Sequence, residues 1–444
     1  MNDRAPKLVP GKHHHHHRHQ HHAHKPHLAA AASTPQQDAY ARLYGQMLAP
    51  LGLDASSFQL MMPGTTVWDW KADLGFIDPA QYNFCAVIPQ WSAAGTYQST
   101  DALFDASYGQ FLNCLSPEPP PKLEEDIATA QANLQEAQNQ YTDAVTDAHV
   151  AYLKDQFVVN GVPSYVSWLT GDGASFQGAI AAANTDLTAA TTAYQSLVKE
   201  CDQNLANAIA AQQNKSYYVT LNNGGTSPSV PNWNLSMTST EWIDSLSTGT
   251  DAVTISYSNS QAVYDFGNSW AGGSAEVSDD FFSLQASGSW QSTDEFYTDT
   301  NLSISITAAM AVIDISPDQW YSPVTALAGG VYLPGLSEFS NGSAGDVYMF
   351  GQGGILPLVK TGMLVVYNPS ITLTISSATY QSNESSWSAT GGISIGPFQI
   401  DGANGGSTSS SWSDNGTTAS ITVTDTTGVP KILGVTVSQP VVAP

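Results

Sequence analysis

Positive charge is the scarcest property of this sequence. Lys and Arg number 13 in 444 residues, and five of them (Arg4, Lys7, Lys12, Arg18 and Lys25) fall in the first 25 positions. Beyond Lys215 only Lys360 and Lys431 remain, against 18 Asp and Glu. Nucleic-acid affinity rests mainly on cations that neutralise phosphates, so a nucleic-acid partner is excluded. Anionic lipid headgroups would repel the same surface, which leaves neutral membranes among the lipid partners. Charged residues of either sign make up 11% of the chain and the net charge is −25. Soluble domains carry about 25% charged residues, so solubility here must come from Ser, Thr, Asn, Gln and Gly.

Histidine and cysteine are nearly as scarce where a fold could use them. Ten of the eleven histidines lie between His13 and His27, which leaves His149 alone. A Ser-His-Asp or Cys-His site needs an imidazole positioned by the fold, and His149 falls on a predicted helix surface. Three cysteines in a chain this long do not make a disulfide framework. Cys85 and Cys114 are the pair available for a single bond, while Cys201 falls on a predicted helical core position as a small apolar residue. Zinc motifs of the HExxH or CxxC type are missing, as are GxxxxGK[ST] and a GxGxxG between strand and helix. No enzyme activity is expected from these chemistries.

No run of 18 apolar residues occurs, so no membrane-spanning helix is predicted. The apolar stretch 28–32 is too short to serve as the core of a classical signal peptide. The expectation is a cytosolic protein or one exported by a non-classical route. Six N-x-S/T sequons follow residue 213, but a segment so rich in Asn, Ser and Thr produces them by chance.

What is present divides the chain into four segments. Residues 1–35 form a His-rich tail that cannot build a core and is expected to be disordered. Its His13, His14, His15, His16, His17, His19, His21, His22, His24 and His27 are candidate ligands for Zn, Ni or Cu. No cofactor is required by anything else in the chain. Residues 36–118 read as a small, mostly helical, aromatic-rich segment, closed by a stiff linker at Pro117, Pro119, Pro120 and Pro121.

Residues 122–212 carry heptads. Ile127, Leu134, Tyr141 and Ala148 recur every seven residues, with Ala130, Ala137, Ala144 and Ala151 three positions after each. The pattern returns as Ile180, Leu187, Tyr194, Cys201 and Ala208. Two such helices with a short connection predict an antiparallel α-helical coiled-coil hairpin. The connection is apolar where a loop should be polar: Phe157, Val158, Val159, Val162, Tyr165, Val166, Trp168 and Leu169. An apolar tip must be covered, either by the hairpin folding back on another domain, by a partner protein, or by a membrane.

From about residue 216 the period changes to two. Val253, Ile255 and Tyr257; Leu302, Ile304 and Ile306; Ile371, Leu373 and Ile375; Ile393 and Ile395; Ile421 and Val423; and Val435 and Val437 mark strands with one apolar face and one Ser/Thr face. Turn signals separate them. The expected class is therefore α+β multidomain, a helical hairpin followed by an all-β antiparallel sandwich or barrel over 216–444.

Three functional readings remain. The first is a non-enzymatic binding protein that uses the apolar tip and the acidic β region, with an unidentified protein, a glycan or a neutral membrane surface as partner. The second is membrane activity with oligomerisation. Segments 299–315 and 251–263 resemble, in texture only, the insertion hairpins of β-pore-forming toxins, with Leu302, Ile304 and Ile306 facing lipid and hydroxyls opposite. The third is a two-carboxylate glycan hydrolase or a glycan-binding module. Its candidates are Glu241, Asp244, Glu276, Asp279, Asp280, Asp294 and Glu295, with Trp242, Trp270 and Trp290 nearby.

Overall fold

The computed structural model describes residues 33–61, 79–117, 121–158, 165–221, 229–237, 241–242, 244–245, 252–266, 281–286, 289–341, 347–384, 392–400, 407–409 and 411–441. Residues 1–34 and 35–444 are separate units, and within the second the fold is mixed α and β around a large antiparallel sheet. The chain opens with helix α1 (Pro35–Leu51) and strand β1 (Phe58–Leu60), then α2 (Pro79–Ala86), β2 (Val87–Pro89), β3 (Ser99–Leu103) and α3 (Phe104–Cys114). The long helix α4 (Glu124–Val158), α5 (Tyr165–Thr170), α6 (Ala174–Val198) and α7 (Gln203–Gln213) follow. No helix among the described residues is long and apolar enough to cross a membrane.

The β region begins with β4 (Tyr218–Thr220), β5 (Ser229–Pro231), β6 (Trp233–Leu235), β7 (Val253–Ser258), β8 (Phe282–Ala286) and β9 (Ser289–Ser292). It continues through β10 (Ser303–Pro317), β11 (Leu336–Ser337), β12 (Val347–Tyr348), β13 (Val359–Ser376) and α8 (Ser377–Ser382). It ends with β14 (Ile393–Ile395), β15 (Phe398–Ile400), β16 (Ser407–Ser409), β17 (Ser413–Asp414), β18 (Thr418–Asp425) and β19 (Lys431–Ser438).

The two longest strands organise the sheet. β10 and β13 pair antiparallel from Ser303↔Thr374 to Asp314↔Gly362, with a register shift between Thr307 and Ala309. Opposite that shift Asn368 takes a left-handed backbone (φ 47°) ahead of Pro369, which has no N–H to give the ladder. The pair is thus divided into two ends with different neighbours. Toward Ser303 it is flanked by β7 on one side and β18 on the other. Toward Asp314 it is flanked by β6 and by β19, and β19 in turn pairs with β1.

Two apolar cores lie against this sheet. The first gathers α2, α3, α7, the near ends of α4 and α6, Trp242, Trp320, and Met363, Val365, Ile432 and Val435 of β13 and β19. The second gathers α1, the apolar face of β7, β10, β13 and β18, and the four-stranded sheet β15-β14-β8-β9. Leu364, Val366 and Leu433 point into this second core, so β13 and β19 form a wall with one core on each side. The segment 36–118, expected to be mostly helical, also supplies β1 to the main sheet. β1 passes so close to β19 that a Cβ on Gly434 would stand 2.5 Å from the Phe58 ring and 2.6 Å from the Gln59 carbonyl.

Along α4 the buried positions include Ile127, Ala130, Leu134, Ala137, Ala148 and Tyr152. Ile127 and Leu134 at the start of α4 share the first core with Tyr194 and Val198 at the end of α6. The expected second helix does not run unbroken to residue 212. It stops at Val198, and Asp202 starts α7 by accepting from the N–H groups of Asn204 and Leu205 at 3.0 Å each. Cys201 therefore lies in the turn between helices, half-buried, and not on a helical core position. All three thiols are unpaired, so Cys85 and Cys114 form no disulfide.

Candidate binding face

Strict alternation gives the Ser303 end of the sheet its character. Ile255 and Tyr257, Ile304 and Ile306, Ile371, Leu373 and Ile375, and Ala419, Ile421 and Val423 turn inward and are buried. The residues between them turn outward: Thr254, Ser256 and Ser258 on β7; Ser303, Ser305 and Thr307 on β10; Ser370, Thr372, Thr374 and Ser376 on β13; Thr418, Ser420, Thr422 and Thr424 on β18. Every one of these outward positions carries a hydroxyl, and each is half-exposed or exposed.

Register turns these strands into rows. Ser258, Ser303, Thr374 and Ser420 stand side by side, as do Ser256, Ser305, Thr372 and Thr422, then Thr254, Thr307, Ser370 and Thr424. Cross-strand hydroxyl bonds link Thr254 to Thr307 at 3.0 Å, Thr372 to Thr422 at 2.9 Å and Ser370 to Thr424 at 2.9 Å. At the corner of the array, the Asp299 carboxylate accepts from the backbone N–H and the hydroxyl of Ser376, both at 2.9 Å. Burial pushes that carboxyl up, but bonds from Thr379, Ser376 and Asn301 outweigh it and hold Asp299 below the usual carboxylate range.

Other buried titratable groups lie toward the opposite end of the sheet. Lys360, on β13 at the other end, is 1% exposed and donates to the Phe84 and Val87 carbonyls at 2.5 and 2.6 Å. The rings of Phe84 and Tyr97 lie 4.9 and 5.1 Å from its Nζ. Burial pulls Lys360 down to about 7, and burial likewise pushes the neighbouring Cys85 thiol up to about 12. Asp105 in the first turn of α3 is pushed up to about 6, again by burial. Through these bonds Lys360 clamps α2 and β2 to β13.

The residues singled out from sequence are distributed as follows. Leu302, Ile304 and Ile306 are all in the second core, 0–2% exposed. Trp168, in α5 between α4 and α6, does not stand free. It is 3% exposed, stacks with Phe176 and meets Tyr152 at a tilt, both with ring centroids 5.6 Å away, and donates its indole N–H to Asp155 at 2.8 Å. Phe157 and Val158 fall in the last turn of α4, Tyr165 and Val166 in α5, and Leu169 is half-buried. Val159, Val162 and the tail histidines His13 to His27 lie outside the described residues.

Among the carboxylates, Asp294 and Glu295 are exposed on a single 3-10 turn, while Glu276, Asp279 and Asp280 lie outside the described residues. Trp242 is fully buried and offers no face to a sugar. Trp270 lies outside the described residues, and Trp290 is in β9. No group of three or more His, Cys, Asp or Glu placed to hold a metal occurs among the described residues. The hydroxyl face itself was half visible in the sequence: each strand showed its Ser/Thr side, but the rows depend on register between strands far apart in the chain.

Comparison with protein-family models, with curated proteins and with solved structures finds no match for this chain.

Proposed function

We propose that this is a non-catalytic binding protein whose contact surface is the hydroxyl face of β7, β10, β13 and β18. In this reading α4 and α6 make an antiparallel coiled-coil hairpin that serves as a spacer, and the main sheet with β15-β14-β8-β9 makes a sandwich. The observation that carries it is the uniformity of the face: no charge, no aromatic ring and no aliphatic side chain interrupts the outward positions from Thr254 to Thr424. Solvation alone does not demand this, since an ordinary solvent face mixes charges and amides with hydroxyls. The partner is correspondingly neutral. The histidines of the tail would hold Zn, Ni or Cu through imidazole nitrogens, independently of this face.

Co-sedimentation with a panel of neutral surfaces tests the reading: phosphatidylcholine–sterol vesicles, insoluble glucans, chitin and ice. The wild type is compared with the double variant Ser305→Lys/Thr372→Lys and with Trp168→Asp. The expected result is retention on a neutral surface that is lost in the lysine pair and kept in Trp168→Asp. Loss only in Trp168→Asp moves the contact to the hairpin end and overturns the assignment to the sheet. Equal behaviour of wild type and lysine pair on every surface, or turnover of a glycan by the wild type, overturns it as well. Dye release from the vesicles would favour the pore reading, in which Leu302, Ile304 and Ile306 leave the core for lipid.

A further inference from the structure

We infer that the hydroxyl face binds the surface of ice, an inference that rests on the assignment of this face as the contact surface. The face excludes most ligand chemistries by what it lacks. The outward positions of the four strands carry no charge, so an ionic ligand finds no counter-charge among them. A soluble sugar usually needs an aromatic platform or a converging set of amides and carboxylates, and the outward positions supply neither. A single hydroxyl contact replaces one hydrogen bond to water by another and gains only about 0.5–1.5 kcal/mol net. A small ligand touching two or three hydroxyls is therefore held weakly.

A crystalline lattice of water changes that arithmetic. Its molecules are already ordered, so each added contact costs little further entropy, and contacts on one rigid face act together. The face repeats in two dimensions, with rows about 4.8 Å apart across strands and about 6.8 Å apart along them. Its elements are held still before any ligand arrives. Threonine is restricted at χ1, and the bonds Thr254–Thr307, Thr372–Thr422 and Ser370–Thr424 tie neighbouring strands together. The inward face is locked by Ile304, Ile306, Ile371 and Leu373 in the second core. Sheet twist of about 20–25° per strand limits lattice matching to neighbouring strands, so the inner pair β10–β13 carries most of the contact and β7 and β18 extend it.

The test is ice-affinity partitioning of the full chain during slow freezing, together with inhibition of ice recrystallisation. The wild type is expected to enter the ice and keep crystals small. Ser305→Lys/Thr372→Lys, altered at a register pair on the inner strands, is expected to be rejected into the liquid. Trp168→Asp is expected to behave as wild type. Circular dichroism melting confirms that the lysine pair is folded, and Ser256→Lys on the outer strand β7, expected to retain part of the effect, supplies a second variant. Exclusion of the wild type from ice overturns the inference. If the wild type is excluded from ice but held by another neutral surface through Ser305 and Thr372, the ice assignment falls and the contact face stands; if no surface distinguishes the lysine pair, both fall.

Discussion

The β10–β13 pair has two ends that obey different rules. Toward Asp314, β13 and β19 are buried on both faces: Met363, Val365, Ile432 and Val435 serve the first core, and Leu364, Val366 and Leu433 the second. Toward Ser303, β10 and β13 with their neighbours β7 and β18 are buried on one face only, and the other face is hydroxyl throughout. The chain writes this difference within one strand: Met-Leu-Val-Val is a continuous apolar run, and Ser-Ile-Thr-Leu-Thr-Ile-Ser a strict alternation, with Asn368–Pro369 between them. A single strand can thus be structural wall over half its length and presentation surface over the rest.

Substitutions should separate the ends sharply. At the two-sided end, Leu364→Ala removes a fully buried side chain from the wall and is expected to cost about 2–5 kcal/mol, read as a lowered urea midpoint. An unchanged midpoint would mean the wall is not the mechanical centre of the sheet. A smaller loss, on the order of 2 kcal/mol, is expected for Lys360→Met, because the Phe84 and Val87 carbonyls lose their buried donor.

Lys360 also gives the two-sided end a dependence on pH. Its folded value of about 7 lies below its unfolded value near 10.4. Below pH 7 both states hold the proton; between about 7 and 9 the unfolded state holds more, so stability rises with pH by up to about 1.4 kcal/mol per unit. Above the ordinary thiol value Cys85 works in the opposite direction, because burial raises it to about 12 and the folded state keeps its proton longer. The rise between pH 7 and 9 should be present in the wild type and missing in Lys360→Met. At the one-sided end, Thr372→Ala is expected to change stability by no more than about 0.5 kcal/mol. A loss comparable with Leu364→Ala would show that the hydroxyl face is covered and structural.

Much of this was legible where it depended on local periodicity. Alternation alone marks Ile255, Tyr257, Ile304, Ile306, Ile371, Leu373, Ile393, Ile395, Ile421 and Val423 as one apolar face, and all are buried. Of the heptad positions, Ile127, Leu134, Ala148 and Tyr194 are buried, while Tyr141, Ile180 and Leu187 are half-buried. What periodicity cannot carry is partnership over distance. β10 meets β13 across more than forty residues, and three-residue β1 reaches β19 at the other end of the chain. Single polar residues also decided features that a pattern averages away. Asp202 divides the second heptad helix, and Asp155 receives the indole N–H that turns Trp168 inward. The face was legible strand by strand, but its rows were not, because they exist only in register.

The three thiols are not distributed evenly. Cys85 and Cys114 are buried in the first core, where burial raises them to about 12 and about 11, and Cys201 packs at its margin; the second core, beneath the hydroxyl face, contains none. Alkylating reagents need the thiolate and access to it, so labelling at Cys85 and Cys114 keeps time for the opening of one core and is blind to the other. The chain thereby carries a built-in clock for asking whether its two cores come apart together or one after the other.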